Sequence, residues 1–204
     1  VRGQVTPPPG STLVVAVGSN ASISVLRRKF GDAGLDVADL DDRLVSVEMH
    51  AVAVGYSGHV ARRGYIPAAP YRAPGAVLST VAAWFDPRHL DVLDATEPNY
   101  HRMTVSHTSH PLHLPGHRLP VDHPYCVYVS RHGVLGDSPT TRLDFGSQQH
   151  VLDWLGRRVD TGLPGAAADA CALLTDPTAA STLGAAIRGA GLVHDAGFTV
   201  EYLR

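Results

Sequence analysis

What most constrains this chain is the order in which two hydrophobic periodicities follow each other. Up to Ser130 the apolar residues come as short runs or in alternation: "LVVAV" at 13–17, "RLVSVEMHAVAVGYS" at 43–57, "GAVLSTVAAWF" at 75–85, "HRMTVSHT" at 101–108 and "YCVYVS" at 125–130. These patterns predict strands, the first buried on both faces and the second, with Val45, Val47 and Met49 in register, wet on one face. From Gln148 the spacing turns helical in "QQHVLDWLGRRV", "GAAADACALL" and "DPTAASTLGAAIRGAG", each punctuated by Gly or Pro. Strands first and helices later is an α+β order, not the alternation of a doubly wound sheet.

Two helices interrupt the strands. "ISVLRRKF" aligns Ile23, Leu26 and Phe30 on one side and sends Arg27, Arg28 and Lys29 to water, with Asn20 or Ser22 as its cap. In "DPRHLDVLDATEPNY" Asp86 caps a short helix that turns Leu90 and Leu93 inward and ends before Pro98. A final alternation, "FTVEYL", predicts an edge strand. The opening "VRGQVTPPPGS" lacks periodicity, so residues 1–11 are expected to be a flexible lead-in.

Composition narrows the function. A formal charge of -2 with no block of either sign argues against nucleic acid as a partner, since phosphate neutralisation needs a basic stripe. No apolar run approaches the roughly 20 residues of a membrane span, so no membrane partner is expected. Cys126 and Cys171 form no CxxC pair and read as buried thiols of a reducing, cytoplasmic compartment.

Four chemical patterns invite attention. The histidines His101, His107, His110, His113, His117 and His123 crowd one region, but prolines break it and HExxH spacing is absent, so no metal is expected; a metal-dependent hydrolase is the weakest alternative. "GYSGH" around Ser57 lacks the last glycine of a nucleophile elbow and the helix that should follow. "VGSN" has one glycine, too few for either nucleotide-phosphate fingerprint, yet a Gly-Ser-Asn turn at a helix start exposes N–H groups that can hold a carboxylate or oxyanion. Glu97 follows a helix and precedes a proline, which lets it project from an element end beside Tyr100 and Arg102.

Two of these stretches together resemble the γ-glutamylcyclotransferase-like family. Its Tyr-Gly-Ser-Asn signature is matched by "VGSN", with Val17 in place of Tyr. A second segment, G-x-V-x…L-x-x-L-D-x-x-E-x-x-x-Y, is matched by "GAVLSTVAAWFDPRHLDVLDATEPNYHRMTV". The resemblance covers Thr12 to Leu174 and implies a mixed, barrel-like β-sheet with peripheral helices. On that basis 12–174 is the family-like domain and 175–204 an extension packed on it.

In such enzymes the α-amine of a γ-glutamyl group attacks its own side-chain amide, closing 5-oxoproline and expelling the attached amine. The resemblance therefore implies a small γ-glutamyl substrate, no cofactor, and Glu97 as general acid and base. Val17, Gly18, Ser19, Asn20, Tyr100 and Tyr128 would line the substrate site, with the main-chain N–H groups of the turn binding substrate oxygens. The loss of the signature Tyr at Val17 leaves a second expectation open, a non-catalytic binding protein using the same pocket. Nothing in the sequence fixes the oligomeric state or which γ-glutamyl compound is bound.

Overall fold

A computed structural model describes residues 8–114 and 121–199. The chain divides into two compact units, one formed by 1–53, 71–131 and 197–204 and the other by 54–70 and 132–196. It is an α+β protein with one large mixed sheet and peripheral helices.

The large sheet has six strands: β1 (Thr12–Val15), β2 (Leu44–Tyr56), β3 (Ala68–Phe85), β4 (Tyr100–Val105), β5 (Leu112–His113) and β6 (Tyr125–Ser130). Their spatial order is β4-β6-β1-β3-β2-β5, so the sheet runs from edge to edge and does not close into a barrel. β1 lies parallel to β6, with Val14 opposite Cys126, and antiparallel to β3, with Val14 opposite Ala83. Leu13, Val14 and Val15 point alternately to opposite faces and all three are buried, so β1 is covered on both faces, which accounts for its unbroken apolar run.

The first unit also holds α1 (Ile23–Asp32), α2 (Leu40–Arg43) and α3 (Pro87–Thr96). Leu26 and Phe30 of α1 and Leu90 and Leu93 of α3 pack with Val14, Phe85 and Tyr128 in one core. Asp86 caps α3 as expected, accepting from the His89 N–H, and the helix ends at Thr96 before Pro98. Ser22 stands at the N-cap of α1, but no side chain caps that helix; the Ser22 hydroxyl meets Ser24 instead. Lys29 departs from its predicted exposure, because its side chain is only 10 % exposed.

The alternation in β2 holds through Val47 and Met49 and then slips, so that Val52 is the next fully buried residue. The slip falls at Ala51, whose φ of 59° lies in the left-handed region. One extra residue with such a backbone is the signature of a bulge, and it shifts the inward face by one position.

The second unit contains β7 (Val134–Ser138), β8 (Thr141–Arg142), β9 (Val193–His194), α4 (Gln148–Gly156), α5 (Ala167–Leu173) and α6 (Pro177–Gly189). β7 is the centre of a three-stranded sheet, and Trp154, Leu155, Leu174, Leu183 and Ile187 form the core. Gly64, with φ 80°, touches α5 so closely that a Cβ would lie 1.9 Å from the Cys171 carbonyl oxygen. Both cysteines are unpaired thiols, but only Cys126 is buried; Cys171 is partly exposed.

Of the expected edge strand "FTVEYL", Phe198 and Thr199 belong to no element, and the rest lies outside the described residues, as do residues 1–7 of the lead-in and His117. No described helix is long and apolar enough to cross a membrane.

Ala51→Gly is expected to stabilise the protein by about 0.5–1 kcal/mol, because glycine adopts positive φ without steric cost. Urea denaturation measures it, and a neutral or destabilising result would remove backbone strain from the account of the bulge.

Candidate functional site

The Gly18–Ala21 segment between β1 and α1 forms a single 3-10 turn. Gly18 enters it with φ 67°, a conformation that disfavours any residue with a Cβ. In an i→i+3 turn that starts from Val17, the Asn20 N–H closes the first bond, so Gly18 and Ser19 are the residues whose N–H groups precede it. Both are exposed, Val17 is half-buried, and Asn20 is buried with 8 % exposure.

Glu97 is the C-cap of α3, and its side chain is 15 % exposed. The turn and this acid, distant in sequence, meet at one nitrogen. Lys29 Nζ donates to Asn20 Oδ1 at 2.8 Å and to Glu97 Oε1 at 2.6 Å. Glu97 Oε2 has no hydrogen bond among the described residues.

Beside Glu97 runs a second polar cluster. Asp94, one turn earlier on α3, accepts a two-pronged contact from Arg102 on β4 and a 2.7 Å bond from the Tyr128 hydroxyl on β6. Arg102 and Tyr128 are direct neighbours across the β4–β6 ladder, which aims both at one carboxylate. Partial burial raises the Asp94 pKa, but the bonds from Arg102 and Tyr128 and the guanidinium charge outweigh it, so the carboxyl titrates below its ordinary value. The Tyr128 hydroxyl is pushed well above its ordinary value, by burial first and then by its bond to Asp94. It is a neutral donor at any physiological pH.

Tyr128 and Asn20 also line a small apolar cavity of about 10 Å³ with Val14, Leu26, Phe85 and Leu93, room for about one water. Tyr100 is half-buried at the start of β4 and packs against the same core. A larger groove of about 800 Å³ is lined by Pro8, Asp42, Arg43, Trp84 and Asp86, none of them a predicted site residue.

The other sequence patterns form no comparable assembly. Among the described residues no three His, Cys, Asp or Glu side chains converge as a metal would require. His110 is buried, and the His113 ring lies tilted against that of His50. Ser57, in the second unit, does bond His59 Nδ1 at 2.6 Å, but the serine is fully buried. Burial and the neighbouring His132 lower the His59 pKa to about 4, and a wholly buried hydroxyl offers nothing to a substrate.

Sequence reasoning missed Lys29, Asp94 and the partnership of Arg102 with Tyr128. The available signal for Lys29 was its i,i+3 relation to Leu26, which puts the two on adjoining positions of one helix face.

Lys29→Met should destabilise the fold by about 1–3 kcal/mol, since it strands a largely buried carboxylate, and adding Glu97→Gln should recover much of that loss. Urea midpoints of the two variants test this, and equal losses would deny the pair its role. Asp94 contributes stability above the ordinary carboxyl value of 3.8 and loses it as pH falls through its lower folded value. The stability gap between wild type and Asp94→Asn at pH 7 should therefore close below about pH 4, as thermal melts across that range would record.

No protein-family model matches the chain, and no curated protein matches it in sequence. Solved structures do match. One named "Gamma-glutamyl cyclotransferase" is 12 % identical with a TM-score of 0.45, covering 60 % of this chain and 68 % of that one. A solution structure from Arabidopsis thaliana is 15 % identical with a TM-score of 0.46, covering 78 % of this chain and 84 % of that one. The crystal structure of YkqA from Bacillus subtilis is 13 % identical with a TM-score of 0.46, covering 91 % of this chain and 56 % of that one.

Proposed function

We propose that this protein is a γ-glutamylcyclotransferase-like enzyme, which converts a γ-glutamyl amine or peptide to 5-oxoproline and releases the amine. The observation that carries this reading is the bridge from Asn20 through Lys29 to Glu97, because it ties the turn that bears the exposed Gly18 and Ser19 to a single acid. The two sequence stretches that resemble the family are the same two segments.

The chemistry asks little of the protein. The attacking amine and the amide carbonyl belong to one molecule, so a site that holds that molecule bent supplies most of the advantage. Glu97 Oε2 accepts the proton that the attacking nitrogen sheds, and the carboxyl returns it to the departing nitrogen as the C–N bond breaks. The N–H groups of Gly18 and Ser19 serve the carbonyl oxygen as it gains charge or the substrate carboxylate. Tyr128, fixed by Asp94, offers a rigid wall, and Val17 offers an apolar one where the family signature has a hydroxyl.

A second reading rests on the same pair. Lys29 engages Glu97 Oε1, so the acid is already neutralised by its partner, and the same groups would bind a ligand without turning it over.

Incubation with a panel of γ-glutamyl amines should release 5-oxoproline, and Glu97→Gln should slow release by at least about a hundredfold. Equal release by both proteins would remove Glu97 from the chemistry. Ligand-induced thermal stabilisation with no turnover would select the binding protein.

A further inference from the structure

Lys29 is the only lysine among 17 basic residues, and it is the cation at this site. An ammonium carries three donors. Two of Lys29's are taken by Asn20 Oδ1 and Glu97 Oε1, and no acceptor among the described residues takes the third. Its side chain retains 10 % exposure, so the group is largely buried without being sealed. A contact made there escapes most of the screening that weakens surface charges.

The charges around the pocket cancel in two pairs, Lys29 with Glu97 and Asp94 with Arg102. Of these four groups Asp94 is satisfied by three donor atoms of its neighbours, whereas Lys29 and Glu97 each keep one unused position, an N–H and Oε2. A positive donor beside a negative acceptor is the complement of a zwitterion, whose ammonium faces a carboxylate and whose carboxylate faces an ammonium. A purely structural link between α1 and α3 would need no such vacancy, and an apolar pair would serve stability as well.

We propose that Lys29 is a substrate-contacting residue that selects for a carboxylate: its third N–H binds an oxygen of the α-carboxylate of the bound amino-acid group while its other bonds hold Glu97 toward the α-nitrogen. This rests on the cyclotransferase-like reading and adds a recognition element outside the two resembling motifs. Arginine does not substitute, because a planar fork cannot direct three bonds from one atom.

Calorimetric titration with 5-oxoproline and its neutral carboxamide isolates the carboxylate contact without turnover. Wild type should bind the acid about 10- to 100-fold more tightly than the amide, the range of a charge-assisted hydrogen bond. Lys29→Met should lose that preference. Lys29→Met with Glu97→Gln should lose it too, and this double variant leaves no unpaired charge should the single one fail to fold. A preference that survives in either folded variant, or that is absent from a wild type that binds both compounds, overturns the role of Lys29 alone. A wild type that binds neither compound and releases no 5-oxoproline from γ-glutamyl amines overturns the functional reading, and this proposal with it.

Discussion

One ammonium group holds the pocket region of the first unit together. Lys29 belongs to α1, its acceptors belong to the turn before α1 and to the end of α3, and no other described contact joins those three places through one atom. A cation so little exposed must be compensated, so its position dictates where Asn20 and Glu97 can lie. The turn is pinned from its buried side by Asn20, which leaves Gly18 and Ser19 outward. The acid is pinned by one oxygen, Oε1.

Around that bond the supporting network is built from register. Arg102 and Tyr128 reach Asp94 because β4 and β6 pair antiparallel with those two residues opposite each other, and a slip of one position would turn one of them to the far face. Asp94 lies three residues before Glu97, which is the C-cap of α3, so the two polar clusters sit at the same end of that helix.

Much of this architecture is legible in the residues. The unbroken Leu13-Val14-Val15 run marks a strand buried on both faces, and Asp86 followed by Pro87 and a leucine pair marks the start of α3. The bulge at Ala51 is not legible, because alanine carries no turn signal and the phase slip comes from backbone geometry alone. Lys29 escaped for a different reason. A charged side chain in a helix is assigned to water by type, whereas its place beside Leu26 on the helix face points inward. Cross-strand partners such as Arg102 and Tyr128 depend on register, which single-strand patterns do not encode. Glu97 and the Gly-Ser-Asn turn were visible as pieces; their shared lysine was not.

The place of β1 in the sheet has a consequence for biosynthesis. Val14 finds its two partners in Ala83 and Cys126, so β1 leaves the ribosome well before either neighbour can pair with it. At typical elongation rates roughly ten seconds separate the emergence of β1 from that of β6. During that interval an apolar, β-branched segment stands with bare edges, open to chaperone capture or to pairing with a nascent neighbour.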